Sequence, residues 1–208
     1  MTMDPYYIPT AAGEAEHTEK RSTFLGHVRC VETEDAARAF IAEMKKQYHD
    51  ARHNCWCYLI RGGAERYSDD GEPQGSAGIP MLEVFRREGV TNVVCVVTRY
   101  FGGVLLGASG LTRAYSAAAA LAVQNAQIRH FCEAHRVRLA MDYSRYGQVS
   151  YLLPEFGVLD AGSEFGENVA LLFDVKTDRF PALSARMTEL FSGAQDMEIL
   201  DTHFVDFP

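Results

Sequence analysis

Ten of the chain's 17 glycines fall between Gly62 and Gly110, seven of them in two stretches on either side of an apolar run. The first, Tyr67-Ser68-Asp69-Asp70-Gly71-Glu72-Pro73-Gln74-Gly75-Ser76-Ala77-Gly78-Ile79-Pro80, is acidic and almost free of large apolar side chains. The second is Arg99-Tyr100-Phe101-Gly102-Gly103-Val104-Leu105-Leu106-Gly107-Ala108-Ser109-Gly110. Glycine carries an entropic cost and recurs where backbone takes a positive φ or comes close to another group. This density predicts two ordered loops that approach each other or a ligand, rather than turns that need only solubility.

The segments around the loops set the fold class. Residues 92–98, Asn-Val-Val-Cys-Val-Val-Thr, read as a buried, β-branched strand. In 54–61, Cys55, Cys57 and Leu59 face one way and Trp56, Tyr58 and Ile60 the other, so this strand is central and covered on both sides. Residues 22–31 form a strand, and Thr33 then caps a helix whose apolar positions are Ala37, Phe40, Ile41, Met44 and Tyr48. Gly62-Gly63 turns the chain into a hairpin with residues 65–68. Pro80 starts a short helix, and Ser109 opens an Ala-rich one that ends near Gln124. The pattern resets at residues 131–135. Strand 136–143, helix 144–153, strands 157–165 and 167–177, helix 179–191 and strand 197–205 then follow in βαββαβ order, the ferredoxin-like pattern. The expectation is an α+β chain with domains at 1–134 and 135–208.

Net charge is −8, which argues against a nucleic-acid surface over the whole protein. The charge is uneven: residues 1–134 hold 14 Lys+Arg and 16 Asp+Glu, a net of −2, and residues 135–208 hold 6 and 12, a net of −6. A basic patch is therefore compatible with the first domain. Five cysteines form an odd set in mostly apolar contexts, which suits reduced, buried thiols in a cytoplasmic protein. No apolar run is long enough to span a bilayer, and no basic-then-apolar leader is visible at the start.

Each candidate site residue has a plainer alternative. Asp69, Asp70 and Glu72 offer hard oxygen ligands for Mg²⁺, yet Asp-Asp-Gly is also ordinary turn chemistry. Arg99 ends a buried strand just before the second loop, and Ser109 and Gly110 lie at a helix start, where unpaired N–H groups can cradle an anion with positive charge from Arg99 and Arg113, and from Arg52 elsewhere in the domain. Alternatively, Arg99 pairs with Asp69 or Asp70 and locks the loops together. Tyr100 and Phe101 either stack on a base or cover the core. His49, His53, Cys55 and Cys57 fit no common zinc spacing and read as buried thiols beside histidines. No local signature marks Cys55 or Ser76 with His53 as a nucleophile and base, and the loops match neither a Walker A motif nor a dinucleotide fingerprint.

Four motifs in order resemble the YigZ/IMPACT family: Arg52-His53-Asn54-Cys55, Ser68-Asp69-Asp70-Gly71-Glu72-Pro73, the run from Gly75 to Leu82, and Val97-Thr98-Arg99-Tyr100-Phe101-Gly102-Gly103-Val104-Leu105-Leu106-Gly107. Lys20-Arg21-Ser22-Thr23-Phe24 is similar to the family's entry motif, with Arg and Ser transposed. The resemblance implies an N-terminal domain of the RNase PH and ribosomal-protein-domain type, with a left-handed βαβ crossover. It also implies a ferredoxin-like C-terminal domain of the kind found in bacterial YigZ-type members. It implies translational control for the eukaryotic relatives, which carry an additional N-terminal domain, and no particular enzymatic activity.

The expected function is a non-catalytic regulator that binds RNA, the ribosome or a translation factor through the two glycine-rich loops. Its candidate contacts are Arg52, His53, Asn54, Asp69, Asp70, Glu72, Gly75, Arg99, Tyr100, Phe101, Gly102, Gly103, Gly107, Ser109 and Arg113. The alternative is an enzyme for a small phosphorylated or nucleotide substrate, with a Mg ion on the carboxylates. No catalytic residue, resident metal or cofactor is assigned. The ferredoxin-like sheet offers a surface for protein docking or dimerisation.

Overall fold

The computed structural model describes residues 5–193 and 196–207, in two compact units, Tyr6–His130 and a second beginning at Phe131. The first unit contains β1 (Tyr6–Pro9), β2 (Gly13–Glu19), β3 (Ser22–Cys30), α1 (Glu34–Gln47), β4 (His53–Leu59), β5 (Glu65–Ser68), α2 (Gly78–Glu88), β6 (Val93–Tyr100) and α3 (Gly107–Gln124). Its main sheet has the order β2-β3-β6-β4-β5, with antiparallel neighbours throughout. Strands β3 and β4 both flank β6 antiparallel, so they run parallel to each other, and α1 makes the crossover between them.

Strand β6 occupies the centre because its apolar run can be buried on both faces. Val93, Cys95 and Val97 pack with Cys55, Cys57, Met81, Phe85 and Tyr115 in the core under α2 and α3. Val94 and Val96 pack with Phe40, Ile41, Met44 and Tyr58 in a second core under α1. The alternation expected in β4 is present, with Cys55 and Cys57 in the first core and Tyr58 and Ile60 in the second. Thr33 caps α1 as expected, its hydroxyl accepting from the Ala36 N–H at 3.2 Å.

Strand β2 escaped the sequence reading because its inward face, Gly13, Ala15, His17 and Glu19, carries no large apolar side chain. A Cβ on Gly13 would lie 2.1 Å from the Ala122 carbonyl oxygen, so the α3 backbone passes directly over this strand. The alanines of α3 (Ala118, Ala119 and Ala122, all fully buried) make the same close approach from the helix side.

The second unit contains most of β7 (Ile128–Met141), then α4 (Tyr143–Leu152), a 3₁₀ turn (Leu153–Phe156), β8 (Leu159–Phe165), β9 (Val169–Lys176), α5 (Phe180–Leu190) and β10 (Asp196–Asp206). Its strands lie in the order β10-β7-β9-β8, again antiparallel, which is the ferredoxin-like arrangement. Val137, Leu139, Val169, Leu171 and Phe173 pack with Val149, Leu183 and Met187 of the helices.

Residues 131–135, where the sequence pattern resets, lie within strand β7. The buried positions shift there from Cys132 and Ala134 to Val137, Leu139 and Met141. This phase change between the two faces broke the periodicity that marks a strand in sequence. No helix among the described residues is long and apolar enough to cross a membrane.

Candidate functional site

The acidic loop is held by its own carboxylates. Asp69 reaches forward to the start of α2: its Oδ1 accepts from the N–H groups of Ala77 (3.0 Å) and Gly78 (2.8 Å), and its Oδ2 from Gly75 (2.8 Å). The N-cap residue Ala77 has no side chain able to do this, so an aspartate eight residues upstream satisfies the orphan N–H groups and faces the positive end of the helix. Gly75 takes a φ of +77°, which only glycine adopts without strain.

Asp70 ties the loop to α1 and β4. Its Oδ1 accepts from Lys45 Nζ at 2.5 Å and its Oδ2 from the Asn54 N–H at 2.7 Å. Asn54 is otherwise spent internally, donating to the Tyr48 carbonyl and accepting from the Thr98 hydroxyl at 2.6 Å.

Glu72 turns into the core, where its Oε1 accepts from Arg99 Nη1 at 2.7 Å and from the Tyr115 hydroxyl at 2.9 Å. Both side chains of the ion pair are under 10% exposed, at 8% for Arg99 and 4% for Glu72. Burial pushes the Tyr115 hydroxyl far above its ordinary value, so it remains a donor to the carboxylate. Burial likewise holds the neighbouring Cys55 thiol up at about 12, and its Sγ donates to the Asp69 carbonyl.

Two expectations are corrected by this geometry. Arg99 does lock the two loops, but through Glu72 rather than Asp69 or Asp70. The carboxylates do not converge on a metal position: each is committed to a different set of donors, and no group of three or more His, Cys, Asp or Glu side chains comes together among the described residues. The competing partners were hidden in sequence because Lys45 and Tyr115 lie 25 and 43 positions away from the acids they serve.

The second loop is different. Gly102 packs against the turn between β2 and β3, where a Cβ would lie 2.0 Å from the Arg21 carbonyl oxygen, and its N–H donates to the Ser22 hydroxyl at 3.2 Å. Beyond this anchor the chain is exposed: Phe101 is 53% and Leu105 is 84% accessible. Gly103 and Gly107 also lie on the surface, and α3 starts at Gly107, two residues before the expected Ser109. The first turn of α3 has no side-chain cap, which leaves its N–H groups for solvent or a ligand. Tyr100 is directed away from the loop, its hydroxyl donating to Asp50 at 2.9 Å.

Arg52, His53, Arg99, Phe101 and Leu105 line a cleft of about 170 Å³. The His53 Nδ1 lies 2.9 Å from the Asp70 carbonyl oxygen. A carbonyl only accepts, so Nδ1 is the donor in this contact. The Arg99 charge is compensated by Glu72, and its guanidinium lies 5.5 Å from the Phe101 ring centroid. Arg52 is exposed and pairs with no carboxylate among the described residues, and the same holds for Arg113 on α3. Leu105 is the cleft residue that sequence reasoning missed. Its signal was an apolar side chain placed in a glycine loop with no periodic neighbour to pack on.

This architecture defines a two-unit α+β protein in which a helix-covered antiparallel sheet carries two glycine-rich loops, the first locked by its own carboxylates, and a ferredoxin-like unit follows. The Impact N-terminal domain model matches residues 20–123, and a domain of unknown function, DUF1949, matches residues 139–194. The chain is 36% identical to the IMPACT family member YvyE of Bacillus subtilis (strain 168), over 93% of this chain and 90% of that one. It is 32% identical to an IMPACT family member of Haemophilus influenzae, over 96% and 98%. A crystal structure of a hypothetical protein superposes with a TM-score of 0.59 at 27% identity, covering 96% of this chain and 98% of that one. The chain belongs to the IMPACT family.

Proposed function

We propose that the chain is a non-catalytic regulator associated with translation, and that its N-terminal unit contacts RNA through the second glycine loop. The observation that carries this reading is the pairing of an uncompensated Arg52 with the exposed Phe101 and Leu105 at one cleft, held by a rigid base. Phe101 supplies a stacking surface for a base, and Arg52 with the uncapped start of α3 supplies positive charge for phosphate. The first loop is the scaffold in this reading: Asp69, Asp70, Glu72 and Asn54 position the contact residues and do not touch the ligand.

The size of the cleft favours a polymer over an enclosed substrate. Pockets for small molecules span about 300–1,000 Å³, whereas this one of about 170 Å³ takes a single group of a larger partner. Membership of the IMPACT family supports the link to translation, since the resemblance implies translational control for its eukaryotic members.

The test is filter binding of the full chain to total RNA and to a single-stranded oligonucleotide at two salt concentrations. Arg52→Ala is expected to weaken binding across sequences and to reduce the salt slope by about one. Phe101→Ala is expected to cost on the order of tenfold, from the loss of one stacked base. Arg38→Ala, on the opposite side of the sheet, serves as the control. No RNA binding at low salt by the folded wild-type protein refutes the proposal.

A further inference from the structure

The second unit carries a larger cleft, of about 410 Å³, where the 3₁₀ turn leads into β8 and β9 leaves for α5. Its apolar wall includes Phe156, Leu159 and Phe207, and its charged groups are Lys176, Arg179 and Glu155. The volume lies within the range of small-molecule sites, about 300–1,000 Å³.

The two cations at this cleft are exceptional within their unit. Residues 135–208 hold 6 Lys+Arg against 12 Asp+Glu, so a basic side chain has an excess of acids to choose from. Arg136 pairs with Asp174, Arg138 with Glu164 and Arg186 with Glu189, and Arg145 donates to the Leu190 carbonyl. Lys176 and Arg179 pair with no carboxylate among the described residues, although Glu155 lines the same cleft. Lys176 instead lies over the Phe207 ring, 4.9 Å from its centroid. Arg179 is also the N-cap residue of α5, whose first turn has no side-chain cap. Two uncompensated cations therefore meet one aromatic cleft in a unit that is otherwise acidic, and such a site favours an anion.

We propose that this cleft binds a small organic anion. Its apolar or aromatic body lies against Phe156, Leu159 and Phe207, and Lys176 and Arg179 take its phosphate or carboxylate head through charge-assisted hydrogen bonds. Glu155 at the cleft rejects molecules charged negatively at both ends and accepts from a hydroxyl or ammonium group of the ligand. The site is independent of the RNA contact on the first unit and shares no residue with it.

Isothermal titration of the full chain tests the proposal with adenosine 5′-monophosphate, indole-3-acetate and inorganic phosphate. At least one of the two organic probes is expected to bind, and which one binds tells a phosphate head from a carboxylate head. Inorganic phosphate, lacking the apolar body, is expected to bind more weakly than the organic probe. Lys176→Ala/Arg179→Ala is expected to weaken the organic probe on the order of tenfold or more, with Arg186→Ala unchanged. Arg179→Glu provides a second variant that leaves the Lys176–Phe207 contact in place, and it is expected to weaken binding at least as much as the loss of one cation. The proposal is overturned if neither organic probe binds at millimolar concentration, or if both variants bind as wild type does.

Discussion

Replacing Asp69 with alanine removes the acceptor of three backbone N–H groups, on Gly75, Ala77 and Gly78. Ala77 and Gly78 are buried, so their N–H groups gain little from water, whereas Gly75 is partly exposed and can be rehydrated. Leaving a buried donor unsatisfied costs about 1–3 kcal/mol, and losing a helix N-cap costs about 0.5–2 kcal/mol. These overlap, since the same N–H groups are counted in both, and the expected loss for Asp69→Ala is about 2–4 kcal/mol. Asp69→Asn keeps one oxygen for the α2 N–H groups but turns an amide donor toward Gly75, and is expected to lose about 1–2 kcal/mol. Urea titration followed by Trp56 fluorescence measures this within the first unit, because Trp56 is the only tryptophan and lies on β4 beside the loop. If Asp69→Ala stays within about 0.5 kcal/mol of wild type, a range typical of unremarkable surface substitutions, and RNA binding is lost, the carboxylate faces an external group and the scaffold argument fails.

The remaining predictions concern the core and its titrating groups. Arg99→Ala leaves Glu72 buried without its cation and is expected to destabilise by about 3–5 kcal/mol, whereas replacing both residues with methionine recovers most of the loss; thermal melts of the single and double variants decide this, and equal loss in both refutes it. Burial raises all four of the thiols Cys30, Cys55, Cys57 and Cys95, but Cys30 is partly exposed and the other three are wholly buried, so in the native protein at pH 8 a thiol reagent is expected to reach Cys30 first and these three only after denaturation. Burial holds the His27 imidazole below its ordinary value of 6.5, partly offset by Glu14. The unfolded chain therefore binds this proton more readily, and the contribution of His27 to stability is complete above pH 6.5 and lost as pH falls below it. His27→Gln is expected to flatten the loss of stability between pH 7 and the acid range, as read from urea midpoints at fixed pH; an unchanged pH profile removes His27 from the account. In the close contact beneath α3, Gly26→Val is expected to prevent native packing, since even a Cβ there would lie 2.7 Å from the Ala118 carbonyl oxygen; a wild-type melting profile would contradict the geometry.

Elements with a strong local pattern were legible in the sequence. The alternating apolar faces of β4, the β-branched run of β6, the Thr33 cap and the order of the second unit follow from periodicity and capping, which depend on neighbours along the chain. The glycine density correctly marked two ordered loops, because positive φ and close approach are backbone demands that only glycine meets cheaply. The family motifs likewise lie within single stretches of sequence and could be read there. What stayed hidden was the partner of each charge. Asp69, Asp70 and Glu72 occupy one tetrapeptide yet serve an α2 helix start, a lysine on α1 and an arginine–tyrosine pair in the core. A local pattern shows that three carboxylates are adjacent, but only the folded chain decides which donors reach them, because the strongest acceptor sites go to whatever donors the packing brings within 3 Å. The same reason separates Arg52 from Arg99: both read as candidate anion contacts, and only the tertiary structure pairs Arg99 with a buried Glu72 and leaves Arg52 exposed at the cleft they share.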